Sequence, residues 1–362
     1  MTNASGGSAP VRPARRGRRG GVDPTKHARD RRLVLHIGLH KTATTFLQNV
    51  LSTRRYDLLQ EGVLYPSAGT SLAEMVKTRE GAQSGHILFT RPGDRQRRLV
   101  WDLVHELPES ARTVLVSSEN FTHPGVDATP EQHLQAFQAF GSIEVILVVR
   151  RQDDWLESYY KQQVDQYGNF ETRAFDAFLK EDGPTLLDFH ARFEPWRQLV
   201  GPENFHVLSY DDLGGGEAIC RRVLEIVGVT GPLLDSATQI AVPGYTSVRA
   251  IDTVGLRILN SYRLEDRDTR IRTALAIYAI APRGDIELMT PEMRAGVQAL
   301  CAPINERIEA EWFRAAAPAF RFGRKTPAVE KAPTESAALI EYIDRVIELC
   351  ETARLQPSRV SE

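Results

Sequence analysis

The 362-residue chain has only three cysteines and four methionines, and it has no C-x-x-C pair. Cys220, Cys301 and Cys350 are odd in number and far apart, which argues against a disulfide framework and a thiolate zinc site and for buried thiols in a reducing compartment. No window reaches the ~18 uninterrupted apolar residues of a membrane-spanning helix, and the N-terminus lacks the apolar core of a signal peptide. Arg15–Arg16 and Arg18–Arg19 lead into Gly, Asp and Lys, so no export signal is expected and the expected location is cytoplasmic. Charge of one sign is missing too: 45 Lys and Arg against 47 Asp and Glu leave a formal net charge of −2. Without a basic field, nucleic acid is not an expected partner, and any anion site must be local. What remains is a globular composition, 42% hydrophobic with a mean hydropathy of −0.31.

Residues 1–30 are Gly, Ser, Pro, Ala and Arg with almost no large apolar side chain, the composition of a disordered basic tail. From Leu33 onward, short β-branched runs alternate with longer helical periods, as in a parallel sheet covered by helices. Strands are expected at 33–38, 62–65, 113–118, 143–149 and 205–209. Helices are expected at 42–55, 94–107, 131–140, 153–167, 174–181, 185–200 and 216–228. Beyond residue 246 the strand signal stops, and helices are expected at 247–262, 267–280, 291–313 and 334–354, with a Pro-bounded loop at 317–333. The expectation is an α/β fold with a central, mainly parallel five-stranded sheet and a helical C-terminal extension. Residues 31–355 form one domain, with an α/β core at 31–230 and a helical part at 245–355. The long helices after residue 290 suit packing in cis or across a homodimer.

The first strand runs into Gly38-Leu-His-Lys41-Thr42-Ala43-Thr44-Thr45-Phe-Leu-Gln48, a glycine, a lysine and three hydroxyls where a helix begins. A strand–turn–helix of this kind aims backbone N–H groups and the positive end of the helix dipole at an anion, and Lys41 adds a full charge. The bland alternative is that Thr42 caps the helix and Lys41 points to solvent. It is not the nucleoside-triphosphate loop, whose lysine follows its first glycine by six residues, whereas Lys41 follows Gly38 by three. A second basic strand end stands at Arg150, with Ser158 eight residues on in the next helix. A fixed guanidinium fork there suits a phosphate dianion; a salt-bridged amphipathic helix is the alternative.

HKTATTFLQ at 40–48 resembles the H-K-T-[AG]-[TS]-[TS]-x-[LI]-Q turn of bacterial-type sulfotransferases that use 3′-phosphoadenosine 5′-phosphosulfate (PAPS), and Arg150 with Ser158 resembles that family's 3′-phosphate motif. The resemblance implies a single P-loop-like domain and PAPS as cofactor, with Lys41, Thr42, Ala43, Thr44 and Thr45 on the 5′-phosphosulfate and Arg150 and Ser158 on the 3′-phosphate. It spans roughly 33–228. Val207-Leu-Ser-Tyr210-Asp211-Asp212-Leu213 resembles a structural strand-end segment of the same family. The C-terminal R-K-G-x-x-G of the cytosolic animal and plant enzymes is absent, and Phe322-Gly-Arg324-Lys325 is the candidate substitute. Thr246-Ser247 and Asn260 faintly resemble bacterial relatives.

Sulfuryl transfer needs charge stabilisation at both ends and a base for the acceptor proton. Glu119, at the end of the strand TVLVSS, is the first candidate for base beside Lys41, with Ser118 as a neighbouring polar contact. His86 is the second candidate, as a loop histidine. Asp153 and Asp154 read as a helix opening rather than a catalytic pair, Trp155, Tyr159 and Tyr160 as packing residues, and His40 as a shaper of the turn. No His, Cys or Asp cluster has metal-ligand spacing, so no metal is required. The expected function is sulfuryl transfer to an acceptor hydroxyl of a carbohydrate, glycolipid or small metabolite, with Arg91, Arg95, Arg97 and Arg98 as an arginine-lined mouth or a solvated helix face. The alternatives are an ATP-dependent small-molecule kinase and a nucleotide-binding module without catalysis.

Overall fold

The computed structural model describes residues 28–70, 85–165, 169–240, 248–264, 266–313 and 334–355. Thr246-Ser247, the loop 317–333 with Phe322–Lys325, and all but the last three residues of the N-terminal tail lie outside the described residues. Ala28 is fully buried and its carbonyl accepts the Arg31 N–H, so the packed chain already includes residues 28–30.

Five strands, β1 (Arg32–His36), β2 (Val63–Leu64), β3 (Thr113–Ser117), β4 (Ser142–Val149) and β5 (Phe205–Ser209), form one sheet in the order β2-β3-β1-β4-β5. Every pairing is parallel. Helices α1 (Thr44–Thr53), α2 (Arg55–Gln60), α3 (Asp94–Glu106), α4 (Pro130–Ala136), α5 (Gln152–Asp165), α6 (Phe175–Leu187), α7 (Phe189–Val200), α8 (Tyr210–Leu213), α9 (Gly216–Val227) and α10 (Gly231–Ser236) accompany it. The C-terminal region is helical: α11 (Ala250–Ser261), α12 (Arg267–Ile280), α13 (Pro291–Trp312) and α14 (Ser336–Leu355). No helix among the described residues is long and apolar enough to cross a membrane.

The period of two along each strand divides the core. Leu33, Leu35, Val145, Leu147 and Val149 pack on one face with Trp155, Phe189 and Phe193, while Val34, Ile146 and Val148 pack on the other with Leu47, Val50 and Leu51 of α1. Strands buried on both faces read as continuous apolar runs, which is why 143–149 was legible. The expected helix 42–55 is divided: α1 starts only at Thr44, because Lys41 and Ala43 take left-handed backbone conformations, and α2 follows beyond Arg54. In the other direction, α6 continues through Gly183 and Pro184 to Leu187.

The sheet order places β1 at its centre, with β3 and β4 on either side. The connection after β1 leaves toward β2, whereas the one after β3 crosses to β4, so the carboxyl ends of β3, β1 and β4 border a topological switch point. In open parallel sheets that is where ligands bind. The C-terminal region is anchored beside this edge. Asp153, at the start of α5, is buried and accepts from Arg151 (2.7 Å), Arg294 (2.9 Å) and Gln298 (3.0 Å), the last two from α13. Gln152 and Asn305 exchange side-chain hydrogen bonds across the same contact.

Candidate functional site

The ladder between β1 and β4 continues past β1: the Leu39 N–H donates to the Val148 carbonyl (3.0 Å) and the Val148 N–H to the Gly38 carbonyl (2.7 Å). This carries Lys41 to the end of β4, beside Arg150. Between them the turn alternates in hand, with Lys41 at φ 63 and Ala43 at φ 62. Such alternation turns successive N–H groups toward one concavity, an anion-binding nest, and strained left-handed residues concentrate at functional sites. Ala43 is the N-cap of α1 and supplies no side-chain cap, and the first turn carries no acidic residue. The N–H donors at the start of α1 therefore have no side-chain acceptor. The Thr42 hydroxyl donates to the Leu39 carbonyl (2.6 Å), so it braces the turn and leaves only its backbone N–H for a ligand. The hydroxyls of Thr44 and Thr45 have no such commitment.

Arg150 donates through Nη1 to the Lys41 carbonyl (3.2 Å) and lies over the Tyr210 ring at 5.3 Å. Its Nε is buried without a partner. Neither Arg150 nor Lys41 has a carboxylate within ion-pair distance among the described residues. Burial, and then the neighbouring Arg150 charge, pull the Lys41 ammonium below its ordinary pKa, with Lys161 adding to this and Asp165 and Glu119 opposing it. Adjacent unpaired cations gain from an anion what they lose to each other. Ser158 is half-buried on α5, one turn before Lys161, with no partner for its hydroxyl among the described residues. Arg151, by contrast, is spent on protein: its side chain pairs with Asp153 and Asp154, and its N–H donates to Asp211 (2.7 Å).

Glu119 opens a single 3-10 turn, Glu119–Thr122, straight after β3. Its carboxylate accepts from Gln48 Nε2 (3.1 Å), and that amide also reaches Ser117 Oγ, which pairs with His36 Nδ1 at 2.8 Å. Gln48, quoted in the motif without a role, is thus what orients the candidate base. Ser118 caps the turn by accepting the Asn120 N–H. The close approach requires Gly38: at φ +117, an added Cβ would meet Thr122 Oγ1 at 2.9 Å and the Glu119 Cα at 3.2 Å.

His86 is no accessible loop base. It is fully buried, its Nδ1 accepts the Ser117 N–H (3.0 Å), and its Nε2 therefore donates to the Pro66 carbonyl (3.0 Å). Both nitrogens are consumed in fastening its loop to β3, and burial holds its pKa down at about 4. Glu119 is the candidate that the structure brings to the turn.

Facing Glu119 are His40, expected to shape the turn, Tyr159, expected to pack, and His123, which no motif marks. His40 Nδ1 lies 3.7 Å from Glu119 Oε1. The His40 ring stands 5.1 Å from His123 and 6.2 Å from Tyr159, and His123 and Tyr159 are 6.3 Å apart. Behind them Arg192 donates to the carbonyls of Leu186 (2.6 Å) and Thr122 (3.3 Å) and is enclosed by the Trp155, Phe189 and Phe193 rings. His40 and His123 line a cavity of about 430 Å³ together with Asn120, Arg91 and Asp127. Of the four arginines expected at a mouth, Arg91 lines this cavity; Arg95, Arg97 and Arg98 lie exposed on α3, with Arg97 paired to Asp94. His123 lies four residues after Glu119 in the same segment, and no spacing or motif marks it in the sequence.

Two other features lie apart from the turn. His190, Glu194 and Glu311 bring their ligand-type atoms within 4.8 Å. Trp312, Arg197, Arg307 and His190 itself already occupy those carboxylates, so the group reads as a pin between α7 and α13. A cavity of about 470 Å³ runs along the outer edge of β5, walled by Leu213, Ile226, Trp312 and Phe313. Among known proteins, no family model matches the chain and no curated protein matches it.

Proposed function

We propose that the protein is a sulfotransferase that moves a sulfuryl group from PAPS to an acceptor hydroxyl. One observation carries the reading: Lys41 and Arg150, from adjacent strand ends, are both without carboxylate partners beside an uncapped helix N-terminus. A fixed pair of cations with free backbone donors suits a ligand with two separated anionic groups. The buried, unpartnered Arg150 Nε and the lack of a side-chain cap on α1 suit such a ligand. PAPS, when bound, supplies the activated sulfuryl group. Lys41 and the α1 N–H groups would hold its 5′-phosphosulfate, and Arg150 with Ser158 its 3′-phosphate.

Glu119 is the residue available to take the acceptor proton. Its two oxygens are divided, Oε2 held by Gln48 and Oε1 facing the His40 side, so the carboxylate is oriented rather than free to rotate. A positioned base typically contributes about 10²–10⁴-fold. Lys41, close enough to feel the Glu119 charge, is placed to neutralise charge on the leaving phosphate oxygen as the transfer proceeds. The cavity beside His40 and His123 is the acceptor's place in this reading, and three buried free thiols suit a cytoplasmic location.

The test is formation of adenosine 3′,5′-bisphosphate from PAPS in the presence of a panel of hydroxyl acceptors. Wild type should form it, Lys41→Ala should not, and Glu119→Gln should lose at least about 10²-fold in turnover with little change in donor affinity. Consumption of ATP–Mg²⁺ in place of PAPS would contradict the proposal in favour of a kinase.

A further inference from the structure

Lys41 and Arg150 answer the two anionic ends of a donor, yet a third cation stands behind the acceptor cavity with no donor group to meet. Arg192 has no carboxylate within ion-pair distance among the described residues, and its charge is enclosed by three aromatic rings. An interior cation is retained without a counter-ion only at considerable cost, and such groups concentrate at functional sites. In front of it, His40, His123 and Tyr159 form a triangle with 5.1, 6.2 and 6.3 Å sides.

Each of the three rings keeps a polar atom in reserve. His40 is 94% buried, and its Nε2 has no partner. His123 Nδ1 accepts the Gly125 N–H (2.9 Å), which leaves Nε2 as the proton-bearing nitrogen of the neutral ring, and it has no partner among the described residues. The Tyr159 hydroxyl likewise has none. Buried polar groups are normally hydrogen-bonded, so the unspent His40 Nε2 calls for a ligand, and His123 Nε2 and the Tyr159 hydroxyl stand beside it without being sealed from solvent. Burial, with Arg192 adding to it, disfavours the imidazolium form of both histidines. The site therefore offers the His123 Nε2–H and the Tyr159 O–H as neutral donors with the Arg192 charge behind them, and His40, whose Nδ1 faces the Glu119 carboxylate at 3.7 Å, adds a third in the tautomer that carries its proton on Nε2. The single carboxylate on the cavity wall, Asp127, is exposed at the mouth.

We propose that His40, His123 and Tyr159, backed by Arg192, form an oxyanion subsite for the acceptor, which carries a carboxylate, sulfate or phosphate monoester beside its nucleophilic hydroxyl. Glu119 Oε1 is 3.7 Å from His40 Nδ1, with the unpartnered Nε2 on the far side of the same ring, so the anion and the reacting hydroxyl belong to one small molecule or sugar unit. The neutral rings tolerate Glu119 as a carboxylate, while Arg192 offsets its repulsion of the acceptor. This assignment rests on the sulfotransferase reading for the word acceptor, but the anion site itself does not.

The test follows the histidine ring signals by NMR while the protein, saturated with adenosine 3′,5′-bisphosphate, is titrated with sodium sulfate, with glucuronate and with glucose at constant ionic strength. The His123 signal should move saturably with either anion, at least ten-fold tighter than with glucose. Tyr159→Phe removes one oxygen and no packing, and should weaken the anions by about ten-fold while leaving bisphosphate affinity within two-fold. Arg192→Met should weaken them further. Because Arg192 also braces two carbonyls, the Tyr159 variant decides if the other fails to fold. Equal response to glucose and glucuronate, or a sulfate response abolished by Lys41→Ala and untouched by Tyr159→Phe, overturns the subsite. Failure of the bisphosphate to bind overturns the sulfotransferase reading alone, since the sulfate response of His123 can still be read without it.

Discussion

Replacing Gly38 by alanine should destabilise the protein by about 2–6 kcal/mol, and the structure supplies both parts of that figure. At φ +117 an L-residue is held in a sparsely populated region, which costs about 1–3 kcal/mol. The new Cβ would stand 2.9 Å from Thr122 Oγ1 and 3.2 Å from the Glu119 Cα, an overpacking contribution of about 1–3 kcal/mol. Thr122 cannot simply turn aside, because its hydroxyl donates to the carbonyls of Ile37 (3.0 Å) and Glu119 (3.2 Å). Urea denaturation of Gly38→Ala, Thr122→Ala and the double variant separates the two parts. The double variant should be more stable than the sum of the singles by about 1 kcal/mol, since Thr122→Ala removes the oxygen that the new Cβ would meet. Turnover should fall more than bisphosphate affinity, because the displaced element is the one that carries Glu119. A loss below about 1 kcal/mol, within the range of an ordinary surface change, would refute the claim that Gly38 seats the turn against β3.

Gln48→Leu keeps the volume of the side chain but removes the amide that orients Glu119; steady-state kinetics should show turnover falling about 10-fold or more with bisphosphate affinity, read calorimetrically, within two-fold. His36, His86 and His133 are each held by burial at about 4, below their ordinary value. Their neutral forms contribute stability that is complete above pH ~6.5 and is lost as pH falls toward 4, at up to about 4 kcal/mol per pH unit for three protons; denaturation at a series of pH values checks this. His133 has both ring nitrogens unpartnered between Phe121 and Trp196. His133→Phe should therefore make that acid loss shallower by one proton and raise stability near pH 7 by about 1 kcal/mol. Burial pushes the Asp153 carboxyl up, but the donors Arg151, Gln298 and Arg294 together hold it well below its usual range. It stabilises the fold above pH ~4 and ceases to do so in stronger acid, and Arg294→Met should cost about 2–4 kcal/mol at neutral pH in a thermal or urea melt.

The strands and most helices were legible because each signal was local. Val145–Val149 is apolar without interruption, and a helix after 246 needs only its own periodicity. The start of α1 was not legible, since nothing in Lys41 or Ala43 announces a left-handed residue. His86 was misjudged for a related reason. Its neighbours Ser84 and Gly85 read as a surface loop, whereas its environment is set by Ser117 and Pro66, distant in sequence. Lys41 and Arg150 were recognisable by residue type and strand-end position, but their lack of carboxylate partners is a tertiary property. Arg192, His123 and Tyr159 come from three elements whose convergence no spacing encodes.

The central claim is that Lys41 and Arg150 form one site for a ligand with two phosphate groups. Calorimetric titration of adenosine 3′,5′-bisphosphate and of ATP–Mg²⁺ into wild type and Arg150→Ala tests it most directly. Losing a bidentate charged contact of about 2–3 kcal/mol corresponds to roughly 30–150-fold in affinity. The account predicts micromolar bisphosphate binding weakened by that factor in the variant, with ATP binding much weaker throughout. Bisphosphate binding unchanged by the substitution, or ATP bound as tightly, would contradict it.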